Sequence, residues 1–300
     1  MSTILITGIN GFVGQHLAKE LVENNYKIVG VGGNNIDVKL DHLIHYSSLD
    51  LTKRSETSKI DFSNIDGVIH LAGLAAVGPS FDNPKLYMDV NVGIEINLFE
   101  EALKQKKKPK FLIISSGSIY NPKAPLPLTE TSAVSPNSPY SVSKLAQEQM
   151  AAYYGSRGFE YVIARPFNHI GPGQSLGFIV PDLAEQIIRS KEIFVGNLSA
   201  KRDYTDVRDI VKAYRLLLEK GTPSEVYNVC SGVTHDGHEI LNFLIEVSGK
   251  KLTVKKDPDK LRPSDTPLIV GSYEKLNKDT GWRPSISLKQ TLVDVIKSLK

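Results

Sequence analysis

The sequence is poor in cysteine: among its 300 residues only Cys230 is present. A single cysteine cannot form a disulfide within the chain, and such scarcity is typical of a reducing compartment, so we expect a cytoplasmic protein. Cys230 closes the apolar run 226–230. That position favours a small buried hydrophobic side chain over a reactive nucleophile.

Long hydrophobic runs and a strong charge of one sign are also missing. No apolar stretch approaches the ~18 residues that a membrane-spanning helix needs. The first residues lead straight into a predicted strand, without the basic region of a secretion signal. The 36 Lys and Arg against 33 Asp and Glu give a net charge of +3, which predicts neither nucleic acid nor an anionic membrane as a partner.

What the sequence does contain is an alternation of short apolar runs with helical periodicity. Continuous apolar runs predict strands that are covered on both faces. They lie at 3–7, 27–31, 67–71, 111–115 and 161–165. Between them, apolar residues recur at helical spacing from residue 12, over 86–103 and from residue 140. This alternation predicts an α/β fold of the Rossmann type, with a doubly wound parallel sheet.

Gly8, Gly11 and Gly14 follow the first predicted strand and open the first predicted helix. In that setting the first glycine makes the turn, the second lets a phosphate approach the backbone, and the third lets helix and strand pack closely. The pyrophosphate of a dinucleotide then lies on the free N–H groups of the helix N-terminus. The predicted site also includes the residues between the glycines, Asn10, Phe12 and Val13.

The second strand ends without the acidic residue that would hold the adenosine ribose of NAD. Gly32 and Gly33 stand there, and no arginine follows to receive the 2′-phosphate of NADP. The sequence therefore leaves NAD and NADP open, and the lack of a repelling carboxylate favours NADP. Asp50 could accept a hydrogen bond from the adenine amino group, or it could cap a helix beginning at residues 52–53.

Glycine and proline become dense after Arg165, and the predicted elements become shorter. Helices are expected at 182–189, 207–219, 239–247 and 288–299, and a strand at 226–230. We expect residues 1–165 to form the dinucleotide-binding domain, with about 207–230 returning to it. Residues 166–300 are expected to form mainly a smaller, substrate-binding lobe that closes over the carboxyl ends of the strands.

Tyr140 and Lys144 lie four residues apart at the start of a predicted helix, so both side chains share one face. A tyrosine at its ordinary pKa of about 10 is a poor acid–base group at neutral pH, and a nearby ammonium favours its phenolate. Ser116 follows the predicted strand at 111–115. Together with the glycine turn, these three residues predict proton transfer beside a dinucleotide.

Seven stretches of sequence carry a family resemblance: TGINGFVG at 7–14, HLAG at 70–73, SSGSIY at 115–120, YSVSK at 140–144, RPFNHIGPGQ at 165–174, KRDYTDVRD at 201–209 and LRPSD at 261–265. With them the chain resembles the extended short-chain dehydrogenase/reductase family, in its nucleotide-sugar branch, over nearly its whole length. The resemblance implies an NAD(P)-dependent enzyme that acts on a nucleoside-diphosphate sugar. It is strongest to the reductases of GDP-linked 4-keto-6-deoxyhexoses, so we expect that reaction.

The same resemblance implies a role for each catalytic residue. Tyr140 would give a proton to the oxygen formed from a ketone, Ser116 would hydrogen-bond that oxygen, and Lys144 would hold the nicotinamide ribose. A homodimer through helices 86–103 and 140–154 is expected. A 4-epimerase or 4,6-dehydratase of the same family, and a non-catalytic dinucleotide-binding protein, stay open as alternatives.

Further binding residues follow from the resemblance. Cofactor contacts are expected from Leu51, Leu71, Ala72, Gly73, Asn91, Ser115, Pro166 and Asn168. Substrate contacts are expected from Ser118, Asn168, Arg202 and Arg262. Arg202 and Arg262 could instead form ion pairs with Asp206 or Asp265, and Asn168 could be a turn residue.

Ser118 occupies a position where dehydratases of the family carry glutamate. A serine hydroxyl is a poor acid–base group for eliminating water, which argues against a dehydratase. His70 and His169 are expected to make local hydrogen bonds rather than to catalyse. His235 and His238 lack a third ligand nearby in the sequence, so no metal is expected.

Overall fold

The computed structural model describes residues 2–33, 43–257 and 266–299. Its strands are β1 (Thr3–Thr7), β2 (Lys27–Gly32), β3 (Leu43–Ser48), β4 (Gly67–His70), β5 (Lys110–Ile114), β6 (Tyr161–Pro166), β7 (Asn168–Ile170), β8 (Glu192–Val195), β9 (Lys201–Asp206), β10 (Val226–Val229), β11 (Thr234–His235), β12 (Thr253–Lys256) and β13 (Leu268–Ile269). Its helices are α1 (Phe12–Glu23), α2 (Arg54–Thr57), α3 (Pro84–Tyr87), α4 (Gly93–Ala102), α5 (Pro139–Ser156), α6 (Ile179–Arg189), α7 (Val207–Lys220), α8 (Gly237–Ser248), α9 (Glu274–Thr280) and α10 (Leu288–Ser298).

A parallel sheet of seven strands forms the centre of the molecule, in the order β3-β2-β1-β4-β5-β6-β10. The predicted apolar runs are its central strands, and every residue of β1 and β4 is buried. Parallel strands need helical crossovers that cover both faces of the sheet, which is why these runs are apolar throughout. The prediction of a doubly wound Rossmann sheet is confirmed.

Neighbouring side chains on β1 point to opposite faces of the sheet and build two different cores. Ile4 and Ile6 pack in a cluster with residues of α1 and α7, on one face. Leu5, between them, packs in a second cluster with residues of α4 and α5 on the other face. The period of two along the strand thus divides the apolar residues between the two helical layers.

Most of the remaining elements form a smaller lobe beyond the end of β6, whereas α9 packs with α7 and β10. Helices α6, α8 and α10 pack around a third apolar cluster, and β8 pairs with β12. A small sheet, β11-β9-β13 with β7 beside β9, contacts both α7 and α10. Within residues 207–230, α7 packs on the central sheet and β10 extends it. Across the described ranges, no helix has the length and apolar character that crossing a membrane requires.

The helix predicted over 86–103 is interrupted. Its first part is the short α3, a π-helical stretch follows at Met88–Val92, and α4 begins at Gly93. Leu86, at the start of the predicted helix, is 50% exposed. The wider π turn lies where the Asn91 side chain hydrogen-bonds outside the helix, and that register shift ends the regular helical stripe.

Phe99 on α4 provides a test of the packing between helix and sheet. Its ring stacks at 4.1 Å from that of Phe111 on β5 and at 4.5 Å from that of Tyr154 on α5. We expect Phe99→Ala to lower the free energy of unfolding by about 3–5 kcal/mol, because it leaves a cavity between the two helices and the sheet. Exposed Phe194 is the control, and Phe194→Ala should cost less than about 1 kcal/mol. Equal losses in urea unfolding would contradict this account.

Candidate active site

The turn that joins β1 to α1 is a cradle built from glycine. Gly8 has φ of +71°, and a Cβ placed there would lie 2.8 Å from the backbone nitrogen of Ala72. A Cβ on Gly14 would lie 2.3 Å from the carbonyl oxygen of Gly8, so helix and turn meet backbone to backbone. Gly11 has no side chain to cap the helix that begins at Phe12. The first N–H groups of α1 therefore suit an anion such as a pyrophosphate.

Phe12 and Val13 occupy the first turn of α1. The Phe12 ring stacks on His169, with centroids 6.2 Å apart, and meets His16 edge-on at 5.6 Å. Val13 packs against the apolar cluster between α1 and the sheet. Both side chains pack against neighbouring parts of the protein. A cofactor contact at these positions would therefore come from their backbone N–H groups.

A cavity of about 370 Å³ opens beside this turn, at the carboxyl ends of β1 and β2. Its walls are formed by Gly8, Val31, Gly32, Gly33, Leu49, Asp50, Leu51, Ala72 and Ile94. The structure thus brings five of the predicted cofactor residues, which are far apart in sequence, to one cavity. Its volume is in the range of small-molecule sites, and it fits the adenosine half of a dinucleotide.

Asn10 fills the space into which a side chain on Gly32 would project. A Cβ on Gly32 would lie 1.6 Å from Oδ1 of Asn10. The Asn10 amide donates at 3.0 Å to the hydroxyl of Tyr46 on β3. Sequence reasoning missed Tyr46 because β3 is largely polar and was not predicted as a strand. Glycine at position 32 therefore leaves room for the Asn10 side chain, and it also forms part of the cavity wall.

Asp50 closes a turn onto Thr52 and does not cap a helix. Its Oδ1 accepts from the Thr52 backbone N–H at 3.1 Å and from the Thr52 hydroxyl at 2.5 Å, while Lys53 lies 3.1 Å from Oδ2. Helix α2 begins two residues after Thr52, at Arg54. The hydrogen bonds from Thr52, together with Lys53, lower the pKa of Asp50, so an anionic acceptor lines the cavity at neutral pH.

Asn91 lies beside the loop 71–73, which follows β4. Its Oδ1 accepts from the backbone of Leu74 at 2.7 Å, and its Nδ2 donates to Ser143 on α5 at 2.9 Å. A Cβ on Gly73 would lie 2.7 Å from Oδ1 of Asn91, so only glycine allows this close contact. The Asn91 amide ties the loop to α5. The cofactor contact expected of Asn91 stays a prediction.

Ser116 lies directly beyond the carboxyl end of β5. It is the N-cap of a short 3-10 turn, Gly117–Ile119, and accepts from the Ser118 backbone at 3.1 Å. Its own hydroxyl donates to the Ser118 hydroxyl at 2.9 Å. Ser118 thus lies beside Ser116, and its hydroxyl oxygen is the acceptor for the Ser116 hydroxyl.

Tyr140 and Lys144 lie in the first turns of α5, which begins at a capping box formed by Ser138 and Ser141. The cap fixes where the helix starts, and it thereby places both side chains at the carboxyl edge of the sheet. The Lys144 ammonium lies 6.0 Å from the centroid of the Tyr140 ring. It donates to the carbonyl oxygen of Ile114, the last residue of β5, at 2.9 Å.

Burial sets the acid–base character of both groups. Burial raises the pKa of Tyr140, and a side-chain hydrogen bond with Ser116 opposes that rise. Burial lowers the pKa of Lys144 to about 8, against the opposing charge of Glu95. Tyr140 is therefore protonated at neutral pH and can act as an acid, with Ser116 and Lys144 placed to stabilise the charge left behind.

Ser115 belongs to a buried polar network rather than to an open surface. Its hydroxyl donates at 2.5 Å to Glu148, whose two oxygens accept from Arg165 at 2.8 and 2.7 Å. Arg165 also donates to the hydroxyl of Tyr120 at 2.9 Å. The Ser115 side chain is thus occupied by the protein. Pro166, the last residue of β6, is buried beside this network.

The predicted substrate residues lie on the small sheet. Asn168 is an exposed residue of β7, so the alternative of a turn residue is wrong. Arg202 lies on β9, next to β7. Asp206 caps α7 and pairs with Arg208 at 2.7 Å, so its suggested pairing with Arg202 is also wrong. Arg262 and Asp265 lie outside the described residues.

The histidines make local contacts. Nδ1 of His70 lies 2.8 Å from the hydroxyl of Thr7, and burial together with the charge of Lys144 lowers the pKa of His70 to about 3. His169 faces Phe12, and His235 pairs with Glu239. Throughout the part of the chain that the structure describes, no group of three or more His, Cys, Asp or Glu side chains could hold a metal ion.

The structure also brings together two residues that sequence reasoning missed. Gln147 accepts from Lys144 at 2.9 Å, and it donates to buried Glu95 on α4 at 2.9 Å. The position of Gln147, three residues after Lys144 on a predicted helix, was the available signal. Glu95 had none, because its partner lies 52 residues away.

The chain belongs to the NAD dependent epimerase/dehydratase family, whose model matches residues 4–230. The glycine turn, the cavity beside it and the Ser116, Tyr140 and Lys144 cluster all lie within that span. The family assignment agrees with the resemblance that the sequence motifs carry.

Individual relatives match along nearly the whole chain. GDP-6-deoxy-D-mannose reductase of Pseudomonas aeruginosa is 33% identical, over 96% of this chain and 94% of its own. A solved structure of RMD from Pseudomonas aeruginosa complexed with NADPH superposes with a TM-score of 0.88 at 31% identity, over 99% and 98% of the two chains. UDP-glucose 4-epimerase of Thermotoga maritima with UDP-glucose gives 0.90 at 27% identity, with the same coverage.

The contact between Asn10 and Gly32 predicts how cofactor preference can be changed. We expect Gly32→Asp alone to weaken both NADH and NADPH at least ~10-fold, because the new side chain collides with Asn10. The double variant Gly32→Asp with Asn10→Gly should recover NADH binding, since the carboxylate can then reach the ribose.

Fluorescence titration of both cofactors measures this. Gly33→Asp is the matched control, because no described atom lies within 4 Å of a Cβ there, and it should spare the fold of the turn. If Gly32→Asp alone binds NADH as tightly as the double variant, the collision with Asn10 has no influence on cofactor affinity.

Proposed function

We propose that this protein is an NAD(P)-dependent nucleotide-sugar oxidoreductase that reduces a GDP-linked 4-keto-6-deoxyhexose to the GDP-6-deoxyhexose. The observation that carries the proposal is the grouping of Ser116, Tyr140 and Lys144 at the carboxyl edge of the sheet, beside the cavity next to the glycine turn. The similarity to a GDP-6-deoxy-D-mannose reductase over 96% of the chain supports the substrate class.

The residues of this site fit a dinucleotide. The glycine turn presents backbone at distances that a Cβ would block, and the adjoining cavity has the volume of a nucleoside site. When bound, a reduced nicotinamide supplies the hydride. Glycine at positions 32 and 33 brings no carboxylate toward the ribose 2′ position, so we propose NADP over NAD. The relative of known structure that is complexed with NADPH supports this preference.

Tyr140 and Ser116 act on the carbonyl oxygen of the sugar. The Tyr140 hydroxyl is protonated at neutral pH, and it gives its proton to this oxygen as negative charge develops there. The Ser116 hydroxyl turns its one proton from Ser118 to the same oxygen and orients it. Lys144, charged below a pKa of about 8, holds the nicotinamide ribose and stabilises the phenolate that Tyr140 becomes.

Ser118 argues against elimination of water. Its hydroxyl oxygen accepts a hydrogen bond from Ser116, and a serine hydroxyl does not provide the extra acid–base group that a 4,6-dehydratase needs. Reduction needs no such group, because one proton from Tyr140 completes it. The site is therefore better equipped for reduction than for dehydration.

The nucleotide and sugar are proposed to lie between the central sheet and the smaller lobe. Asn168 on β7 lies opposite Tyr204 of β9 in the small sheet, and Arg202 lies two residues before Tyr204 on the same strand. Arginine matches the planar acceptor oxygens of a diphosphate. Arg262 is proposed as a second contact on the grounds of the family resemblance.

A 4-epimerase is the second candidate. The UDP-glucose 4-epimerase of Thermotoga maritima matches the fold with a TM-score of 0.90. Epimerisation uses the same proton and hydride positions and differs in whether the keto intermediate turns over and is reduced again. A measurement of net cofactor consumption therefore distinguishes the two functions, because the reductase consumes NADPH and the epimerase does not.

We also propose that the protein is a homodimer through helices 86–103 and 140–154. Leu86, Met88, Val142 and Tyr153 are apolar or aromatic side chains exposed on these segments. Exposed apolar side chains gathered on adjacent helices are typical of a protein interface.

The lone, buried Cys230 is consistent with a reducing compartment, and we propose the cytoplasm.

The reaction is tested with purified protein and two pairs of reactants. Given a GDP-4-keto-6-deoxyhexose and NADPH, it should oxidise one NADPH for each sugar reduced. Given GDP-mannose and NADP⁺, it should accumulate no 4-keto-6-deoxy product, because Ser118 replaces the acid–base group. Interconversion of two hexoses without net use of NADPH would favour the epimerase, and release of the 4-keto product from GDP-mannose would overturn the reductase.

Tyr140→Phe tests the proton donor. It keeps the ring and removes the acidic hydroxyl, so kcat should fall ~100-fold or more while NADPH binding stays near that of the wild type. The control is Tyr153→Phe, on the exposed face of the same helix, which should leave kcat unchanged. Near-normal turnover of Tyr140→Phe would assign the proton to another group.

A further inference from the structure

A fully buried carboxyl group lies behind the Lys144 ammonium. Glu95 on α4 has 0% of its surface exposed. Its Oε2 accepts from Nε2 of Gln147 at 2.9 Å, and its Oε1 has no hydrogen-bond partner within the described residues. The Gln147 side chain reaches onward, and its Oε1 accepts from Nζ of Lys144 at 2.9 Å. One amide thus connects a buried carboxyl group to a catalytic ammonium.

The connection fixes which way the Gln147 amide points. A glutamine amide has a donor end and an acceptor end of nearly equal size, so its orientation is set by its partners. Glu95 offers Oε2 as an acceptor and therefore draws the NH₂ group of Gln147 toward itself. The carbonyl end is then turned toward Lys144. Without an acceptor at position 95, the NH₂ group could equally face the ammonium and repel it.

The hydrogen bonds of Lys144 show what this orientation achieves. An ammonium has three donors. One goes to the carbonyl oxygen of Ile114 and one to Gln147, both at 2.9 Å. These two acceptors, one from β5 and one from α5, fix the direction of the third N–H. That donor is left for the ribose hydroxyls and for the charge on Tyr140.

Other titratable groups surround the ammonium. His70 on β4 feels the charge of Lys144, and it stays neutral because burial lowers its pKa to about 3. Burial raises the pKa of Glu95 well above its usual range, with hydrogen bonding from Gln147 and the charge of Lys144 opposing the rise and Glu148 adding to it. An isolated buried carboxyl group of this kind costs stability, so its presence needs a reason other than packing.

We propose that Glu95 is a positioning residue, which orients Gln147 so that its carbonyl holds the Lys144 ammonium toward the nicotinamide ribose and Tyr140. This inference rests on the proposed function only in taking Lys144 as the residue that meets the cofactor. Glu95 itself touches neither cofactor nor substrate; it acts through Gln147.

The test follows NADPH binding across pH by fluorescence, from roughly pH 6 to pH 10, without any sugar. In the wild type, affinity should fall as pH rises through about 8, where Lys144 loses its proton. Glu95→Met removes the acceptor and frees the Gln147 amide. Its affinity at neutral pH should drop ~3- to 10-fold, and the alkaline fall should move about one pH unit lower, because an NH₂ group facing Lys144 disfavours its charge.

Two further variants distinguish an effect of the Gln147 amide orientation from an effect of replacing a buried side chain. Glu95→Gln keeps an acceptor oxygen but lacks the charge that raises the Lys144 pKa, so its alkaline fall should lie between those of the wild type and Glu95→Met. Glu101→Met is the matched control, since Glu101 is a buried carboxylate on the same helix that pairs with Lys104 instead of Gln147. Its profile should coincide with the wild type, whatever its stability.

Melting temperature distinguishes positioning from packing. Replacing a buried, half-paired carboxyl group by an apolar side chain of similar size is often neutral or stabilising, so Glu95→Met should melt no lower than the wild type. A lower melting temperature with an unmoved pH profile would show a packing role and overturn the proposal. If Glu95→Met fails to fold, Gln147→Met breaks the same link with Glu95 intact, and an unmoved profile there overturns it equally.

The measurement does not depend on the sugar substrate. If no keto sugar is reduced but the NADPH profiles move as stated, the proposed function fails and the positioning role stands. If reduction proceeds while the profiles of Glu95→Met and Gln147→Met match the wild type, the positioning role alone fails.

Discussion

The ion pair between Glu148 and Arg165 is the interaction on which the site depends. It is bidentate and almost fully buried, and it joins α5 to β6 while Ser115 ties it to β5. Helix α5 carries Tyr140 and Lys144, and β5 leads to the serine that faces them. Breaking a buried pair by removing one partner typically costs ~3–5 kcal/mol, because a charge is left without compensation. The pair therefore fixes the helix against the two strands that together form the site.

Near this ion pair the protein contains several buried polar groups that lack hydrogen-bond partners among the described residues. Nε2 of His70, Oε1 of Glu95 and the hydroxyl of Tyr214 are buried without a hydrogen-bond partner among the described residues. Two of them, His70 and Glu95, interact electrostatically with Lys144. Such groups cost stability, and their concentration at the carboxyl edge of the sheet is typical of a site arranged for chemistry rather than for folding.

The shared machinery explains why reductases and epimerases both resemble this chain. The proposed proton donor Tyr140 on α5, with Ser116 and Lys144 beside it, would serve reduction and epimerisation alike, and the fold alone does not decide the outcome. The outcome depends on what holds the sugar, and the residues proposed for that role lie on β7 and β9 of the small sheet. Ser118 argues against dehydration, because a serine hydroxyl is a poor acid–base group for eliminating water.

The sequence by itself determined the layered fold and much of the site, because those features are written in local patterns. Apolar runs identified the central strands, the glycine spacing identified the turn, and the interval between Tyr140 and Lys144 placed both on one helical face. Tertiary structure alone decided the features that join distant residues: the Asn10 side chain over Gly32, the Asn91 amide within an interrupted helix, and Glu95 behind Lys144. Each depends on packing between elements far apart in sequence, and the period of one helix or strand carries no information about its neighbour across the core.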